Sequence, residues 1–158
     1  KKEFDYILVD SPAGIEHGFK TASVAADQAI VVCTPDVSSI RDADRVIGLL
    51  QSQGLNTYLL INRISPELVE KGDMLSKDDV LDILGVDLIG IVPKDERILI
   101  SSNSGVPVVL DEDSEAGKAF MRIAARIDGE EVEIIEPKLK KEGFFAKLGR
   151  IFGFAPEQ

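Results

Sequence analysis

The sequence predicts an α/β fold, a parallel sheet flanked by helices, followed by a C-terminal amphipathic helix. Three observations carry this expectation. Short, nearly continuous apolar runs recur along the chain, helical patterns separate them, and the final stretch reverses the charge sign of the rest. A run that is apolar at successive positions suits a strand covered on both faces, as parallel sheets require.

Phe4 to Val9 is the first such run, expected as a buried strand that empties into the loop Asp10-Ser11-Pro12-Ala13-Gly14. Gln28 to Cys33, Asn56 to Ile61 and Leu88 to Val92 are the next three. The clearest helix spans about Ser39 to Gln53. It places Ile40, Ala43, Val46, Ile47 and Leu50 on one stripe and Arg41, Asp42 and Arg45 opposite, with Ser39 and Asp42 as a capping pair and Gly54 as the stop. A second helix follows Ser76, with Asp79 three residues on, and should bury Val80, Leu81, Ile83 and Leu84 before Gly85. A third runs from Glu115 to Ile127 with Ala116, Ala119, Phe120, Ile123 and Ile127 inward.

The 158 residues, 44% hydrophobic and 29% charged, suffice for one domain-sized core, assigned to residues 1–127. Residues 128–141, rich in Gly, Glu, Pro and Lys, read as a linker, and residues 142–154 as the amphipathic helix. Around a wheel that starts at Phe144, the residues Phe144, Phe145, Leu148, Ile151 and Phe152 share one arc, with Lys147 and Arg150 outside it. Such a stripe can face a core. Here it follows a polar stretch and is basic on an acidic protein: Lys138 to Gln158 carry five basic and two acidic side chains, against a net −13 for residues 1–137. Phe beside Lys and Arg is the composition of an interfacial helix drawn to anionic lipid. The overall −10 argues against general binding to a nucleic-acid backbone, which needs concentrated Lys and Arg.

Cys33 is the sole cysteine, so no intrachain disulfide is possible, and a reducing, cytosolic setting is expected. His17 and Cys33 are single residues in different elements and read as structural. No apolar run approaches the roughly 18 residues of a membrane span. The chain opens on Lys1 directly before a strand-like run, which suggests a portion of a longer protein.

Chemistry on a parallel sheet belongs beyond the C-terminal ends of its strands. In the first such loop, Asp10 is a carboxylate suited to a magnesium ion that keeps most of its waters, and Gly14 lets a backbone N–H approach a phosphate. The same residues also make a plain turn. Asn62 and Arg63 follow the third run. An Asn amide can donate to and accept from a purine edge, and Ser65 stands where guanine-selective sites place an Asp, so a bound purine would be adenine; Asn62 as a simple turn former is the alternative. Pro93-Lys94-Asp95 forms the last loop, able to wrap a base with its backbone.

The stretches 10–16 (DSPAGIE), 37–50 (VSSIRDADRVIGLL), 72–84 (GDMLSKDDVLDIL), 88–95 (LIGIVPKD), 103–110 (NSGVPVVL) and the Phe-rich basic tail together resemble the MinD family. These are ParA-like P-loop ATPases with a deviant Walker A loop that position the bacterial division site. The resemblance covers nearly the whole chain. It implies a P-loop NTPase-like fold with the N-terminal half missing, and ATP and Mg²⁺ as cofactors. It assigns Asp10 to the magnesium-side switch, Gly14 to the γ-phosphate sensor, and Asn62, Arg63, Pro93, Lys94 and Asp95 to the adenine site. It places Asp42 and Asp44 on the helix that meets the partner proteins MinC and MinE. It further implies an ATP-dependent homodimer, peripheral on the inner face of the bacterial cell membrane through residues 144–152.

One departure is large. The glycine-rich phosphate loop with its lysines occurs nowhere in this sequence, so this portion alone is expected to be inactive. Two other readings remain: a ParA-like DNA- or cargo-partitioning ATPase, disfavoured by the acidic body, and a non-catalytic membrane adaptor.

Overall fold

In the computed structural model, residues 3–139 are described. The chain runs α1 (His17–Ala25), β1 (Gln28–Cys33), α2 (Val37–Ser52), β2 (Asn56–Ile64), α3 (Pro66–Glu70), α4 (Lys77–Leu84), β3 (Asp87–Pro93), α5 (Arg97–Ser104), a 3-10 turn η1 (Val108–Leu110) and α6 (Glu115–Ile127). β1, β2 and β3 form a parallel sheet in that order, so β2 is the central strand.

The apolar runs cover both faces of this sheet, as their lack of alternation requires. Leu59 and Ile61 of β2 join Val31, Cys33 and Ile91 on one face, under Ile40, Ala43, Ile47 and Leu50 of α2 and Val80 and Leu84 of α4. Leu60 joins Ile89 and Val92 on the other, under Ala116, Ala119 and Ile123 of α6. Gly90 lets α6 come this close: a Cβ there would lie 2.3 Å from Ile123 Cγ1.

The helix starts follow local chemistry. Ser76 and Asp79 form the expected capping box, and Gly85 ends α4 in the left-handed region. α2 departs from expectation. Its cap is Asp36, whose carboxylate accepts from Ser39 N–H, while Ser39 Oγ accepts from Thr34 N–H, so the helix starts earlier and Asp42 has no capping role. On α4, Ile83 is 53% exposed rather than buried, because Val80 and Leu84 alone of its stripe reach full burial.

The cap carboxylates make stability pH-dependent. Hydrogen bonds from the Thr34 hydroxyl and Ser39 N–H hold Asp36 below the usual carboxylate range, and the Ser76 hydroxyl and N–H do the same for Asp79. A group whose folded pKa is depressed stabilises the fold above its unfolded value, near 3.9, and loses that contribution as pH falls through the folded value. The contribution of these two caps to the unfolding free energy is therefore expected to be flat from neutral pH to about 5 and to decline below about 4. Asp36→Asn should shallow that decline in an acid titration of the denaturation midpoint.

The run at residues 4–9 is a correction to the sequence reading. It forms no strand: Phe4 is 67% and Leu8 87% exposed, and a cavity of about 1860 Å³ separates the segment from β1. Apolar composition marks a segment that wants cover but does not specify its ladder partner. The segment is held instead by Tyr6, whose hydroxyl donates to Asp128 at 2.8 Å. β1 consequently has an open edge among the described residues, flanked by Ile30 and Val32.

Past α6, residues 129–139 form neither helix nor strand, yet they are not detached from the body. Arg126 donates to Val132 O at 2.7 Å, to Ile89 O at 2.8 Å and to Glu133 O. Ile134 packs against the α2/α4 side of the core, and Lys77 pairs with Glu136 at 3.0 Å. Residues 142–154, expected as the amphipathic helix, lie outside the described residues.

Candidate functional site

Strand β2 continues three residues beyond the expected end, so Asn62 and Arg63 lie within it rather than in a following loop. The register to β3 shifts between Ile61 and Ile64, the signature of a bulge, and Arg63 takes φ +60°, a region a non-glycine residue seldom enters. The bulge aims Asn62 inward. Its Oδ1 is buried without a hydrogen-bond partner among the described residues, an arrangement that costs about 1–3 kcal/mol unless something donates to it.

The end of β3 meets this bulge directly. Ile64 is in register with Pro93, and Lys94 N–H donates to Ile64 O at 2.8 Å, which brings Asn62, Arg63, Pro93, Lys94 and Asp95 together at the C-terminal edge of the sheet. Lys94 and Arg63 are exposed there. Asp95 has no free carboxylate oxygen: Oδ1 accepts from Arg97 N–H at 2.9 Å, and Oδ2 accepts from the Ser114 hydroxyl at 2.7 Å and Ala116 N–H at 3.1 Å. Burial pushes its carboxyl up, but those three donors and the Arg97 charge prevail and hold it below the usual range. Asp95 thus shapes the loop, while the loop backbone and Asn62 are left to meet a ligand. Ser114, fully buried, was not legible as part of this cluster; its only sequence signal is its place just before α6.

The second group gathers at the open edge of β1. Asp10, Gly14 and Asp42 line the large cavity between residues 4–14 and β1, and Gly14 adopts φ +94°. Asp10 is exposed and is the carboxylate that residues 10–14 bring to the cavity, so it fits an ion that keeps most of its waters better than a fully protein-ligated one. Asp42 and Asp44 are both exposed on α2. Cys33 is 3% exposed, and burial, with the nearby Asp36, pushes its thiol up to about 11, which suits a packing role.

Residues 1–128 match the ParA family model described as NUBPL iron-transfer P-loop NTPase. The chain belongs to the ParA/MinD family of P-loop NTPases. Its relatives include the septum site-determining protein MinD of Helicobacter pylori, 49% identical over 96% of this chain and 59% of the relative. MinD of the Aquifex aeolicus MinC:MinD cell division complex superposes with a TM-score of 0.81 at 48% identity, covering 85% of this chain and 56% of that one. The Pyrococcus horikoshii septum site-determining protein MinD complexed with Mg-ADP gives 0.73 at 27% identity, over 81% and 52%. The chain therefore spans a little over half the length of the curated relatives it matches. In this family frame the described residues supply a parallel sheet with helices on both faces, and among them no helix is long and apolar enough to cross a membrane.

Proposed function

We propose that this chain supplies the base-binding, switch and partner-facing parts of a MinD-type ATPase that helps place the division septum. The observation that carries the nucleotide reading is the buried, unpartnered Asn62 Oδ1 beside the Pro93–Asp95 loop. An exocyclic amino group of adenine would satisfy it, and the half-buried Pro93 with the exposed Lys94 would flank the ring. Likeness to a MinD structure complexed with Mg-ADP supports the same ligand class. Asp10 would hold the magnesium through water, and Gly14 would present its N–H toward the terminal phosphate. ATP supplies a cleavable phosphoanhydride; the residues here orient its base and its metal. The phosphate cradle is proposed to lie outside this sequence, so the activity is assigned to a protein of the relatives' full length.

Asn62→Ala tests this in that full-length protein. ATP affinity is expected to fall by about 1–3 kcal/mol, since a purine-edge contact is lost. Asn56→Ala, at the start of β2 far from the bulge, should leave it unchanged. Equal losses at both positions would reduce Asn62 to a structural residue.

Asp42 and Asp44 are proposed to meet MinC-like and MinE-like partners, a reading supported by their exposure on α2 and by the likeness to a MinC:MinD complex. Asp42→Ala and Asp44→Ala should weaken partner capture in a pull-down while stability stays within about 0.5 kcal/mol, as is usual at exposed helix positions. Capture that survives both changes returns them to a solvated helix face. The further elements of the proposal are ATP-dependent homodimerisation and a reversible hold on anionic membrane through Phe144, Phe145, Lys147, Leu148, Arg150, Ile151 and Phe152.

A further inference from the structure

We infer that Ser114 is a positioning residue for the base loop, acting through Asp95 from the N-cap of α6. This rests on the reading of Asn62 and Pro93–Asp95 as the base site, and it adds a residue that touches neither base nor phosphate.

The Pro93–Asp95 segment is pinned at two points. At one end Lys94 N–H donates to Ile64 O, beside the bulge that aims Asn62. At the other, the Ser114 hydroxyl donates its single proton to Asp95 Oδ2 and accepts from Gly117 N–H at 3.0 Å. Ser114 has no exposed surface, so water cannot replace either partner. Its position is fixed in turn by tight packing: a Cβ on Gly117 would lie 2.5 Å from Val108 O, so η1 closes directly over the start of α6. Asp95 Oδ2 also accepts from Ala116 N–H, so the carboxylate sits at the N-terminus of α6, where the helix dipole favours negative charge.

The consequence for the ligand is geometric. A backbone loop that wraps a base must hold its position to a fraction of an ångström, and here one of its two fixing points is supplied from the start of α6 through the loop's own Asp95. Losing the hydroxyl removes one of the three donors to Asp95, leaving Arg97 N–H and Ala116 N–H, and so loosens the tie that holds Pro93 and Lys94 in place relative to Asn62. The interaction with the phosphates, which does not involve this loop, is untouched.

The test uses the full-length protein with two ligands, Mg-ATP and Mg-tripolyphosphate, each titrated by calorimetry against wild type, Ser114→Ala, Asp95→Asn and Asn62→Ala. Ser114→Ala and Asp95→Asn are each expected to weaken ATP about 10-fold and to leave tripolyphosphate affinity unchanged, with the double variant no weaker than the worse single one. In steady-state hydrolysis KM should rise while kcat stays within about two-fold. Ser114→Thr, which retains the hydroxyl, should recover most of the ATP affinity. Should Ser114→Ala fail to fold, the Asp95→Asn arm, which weakens the same hydrogen bond from its other side, carries the comparison. Normal ATP affinity in Ser114→Ala and Asp95→Asn, with Asn62→Ala weakened, would overturn the positioning role alone. Normal affinity in Asn62→Ala as well would remove the base site on which it rests. An equal loss for ATP and tripolyphosphate would mean general destabilisation and would also overturn it.

Discussion

Phe152→Glu in the full-length protein is expected to abolish cosedimentation with anionic liposomes in the presence of ATP, while ATP-driven dimerisation persists. Each apolar side chain among Phe144, Phe145, Leu148, Ile151 and Phe152 contributes roughly 1.5–3 kcal/mol if fully buried. Partial insertion, and the ordering of a helix near the marginal length of about 12 residues, offset much of that. A single tail should therefore bind weakly and reversibly. In the proposed dimer two tails would share an encounter with the membrane, and effective concentration would raise avidity by about 10²- to 10⁴-fold with no new contact. In the proposed anchor a glutamate at 152 would remove one apolar side chain and add repulsion from anionic headgroups, so both factors would be lost together. Binding by wild type should also fall with added salt and with removal of anionic lipid. Equal cosedimentation of wild type and Phe152→Glu, or of a chain cut after Lys138, would sink the anchor.

The second large effect concerns the sheet. Leu59→Ala removes a side chain with no exposed surface from the centre of β2, and should cost about 2–5 kcal/mol through lost transfer energy and the cavity left behind. Ile83→Ala, on the exposed side of α4, should cost no more than about 0.5 kcal/mol. The denaturant midpoint should shift for the first and stay for the second, with the slope unchanged in both. Comparable shifts would mean that the face of α4 has been assigned wrongly.

Ile83 also shows where sequence reasoning stops. The parallel sheet, α2, α4 and α6 were legible because each has a strong local signal: continuous apolar runs, a Ser76–Asp79 box, a clean 3.6-residue stripe. How wide a stripe is buried depends on the neighbouring element, and α4 covers less of the sheet than its composition suggests. α1 and α5 were not anticipated. The sequence of α5, RILISSNS, is poor in helix formers and none of its residues is fully buried, so its helix depends on surrounding structure. At the proposed base site, Asn62 and the Pro93–Asp95 loop were singled out by residue type and resemblance, and the fold brings them together. The bulge that turns Asn62 inward was not, because nothing in an Asn-Arg pair announces a positive φ at Arg63. The Asp95–Ser114 bond joins residues 19 apart in the chain and is invisible to any local pattern.

The contacts of Arg126 with the backbone beyond α6 set a leash. Were the chain free from Asp128 onward, the sixteen steps to Phe144 could extend over about 53–58 Å. With Ile134 packed on the core, only ten steps remain, at most about 33–36 Å. The surface pair Lys77–Glu136 shortens this further only when it is formed, since such pairs are individually weak. A proposed anchor on a short leash does more than hold the protein near lipid. It restricts which side of the body can turn toward the bilayer, and favours the side where α4 and the docked segment lie. For a dimer, two such leashes emerging from fixed points would act as a two-legged stance, so the faces turned away from the membrane stay available to other proteins. Arg126→Ala, by lengthening the leash, would loosen orientation before it loosened attachment.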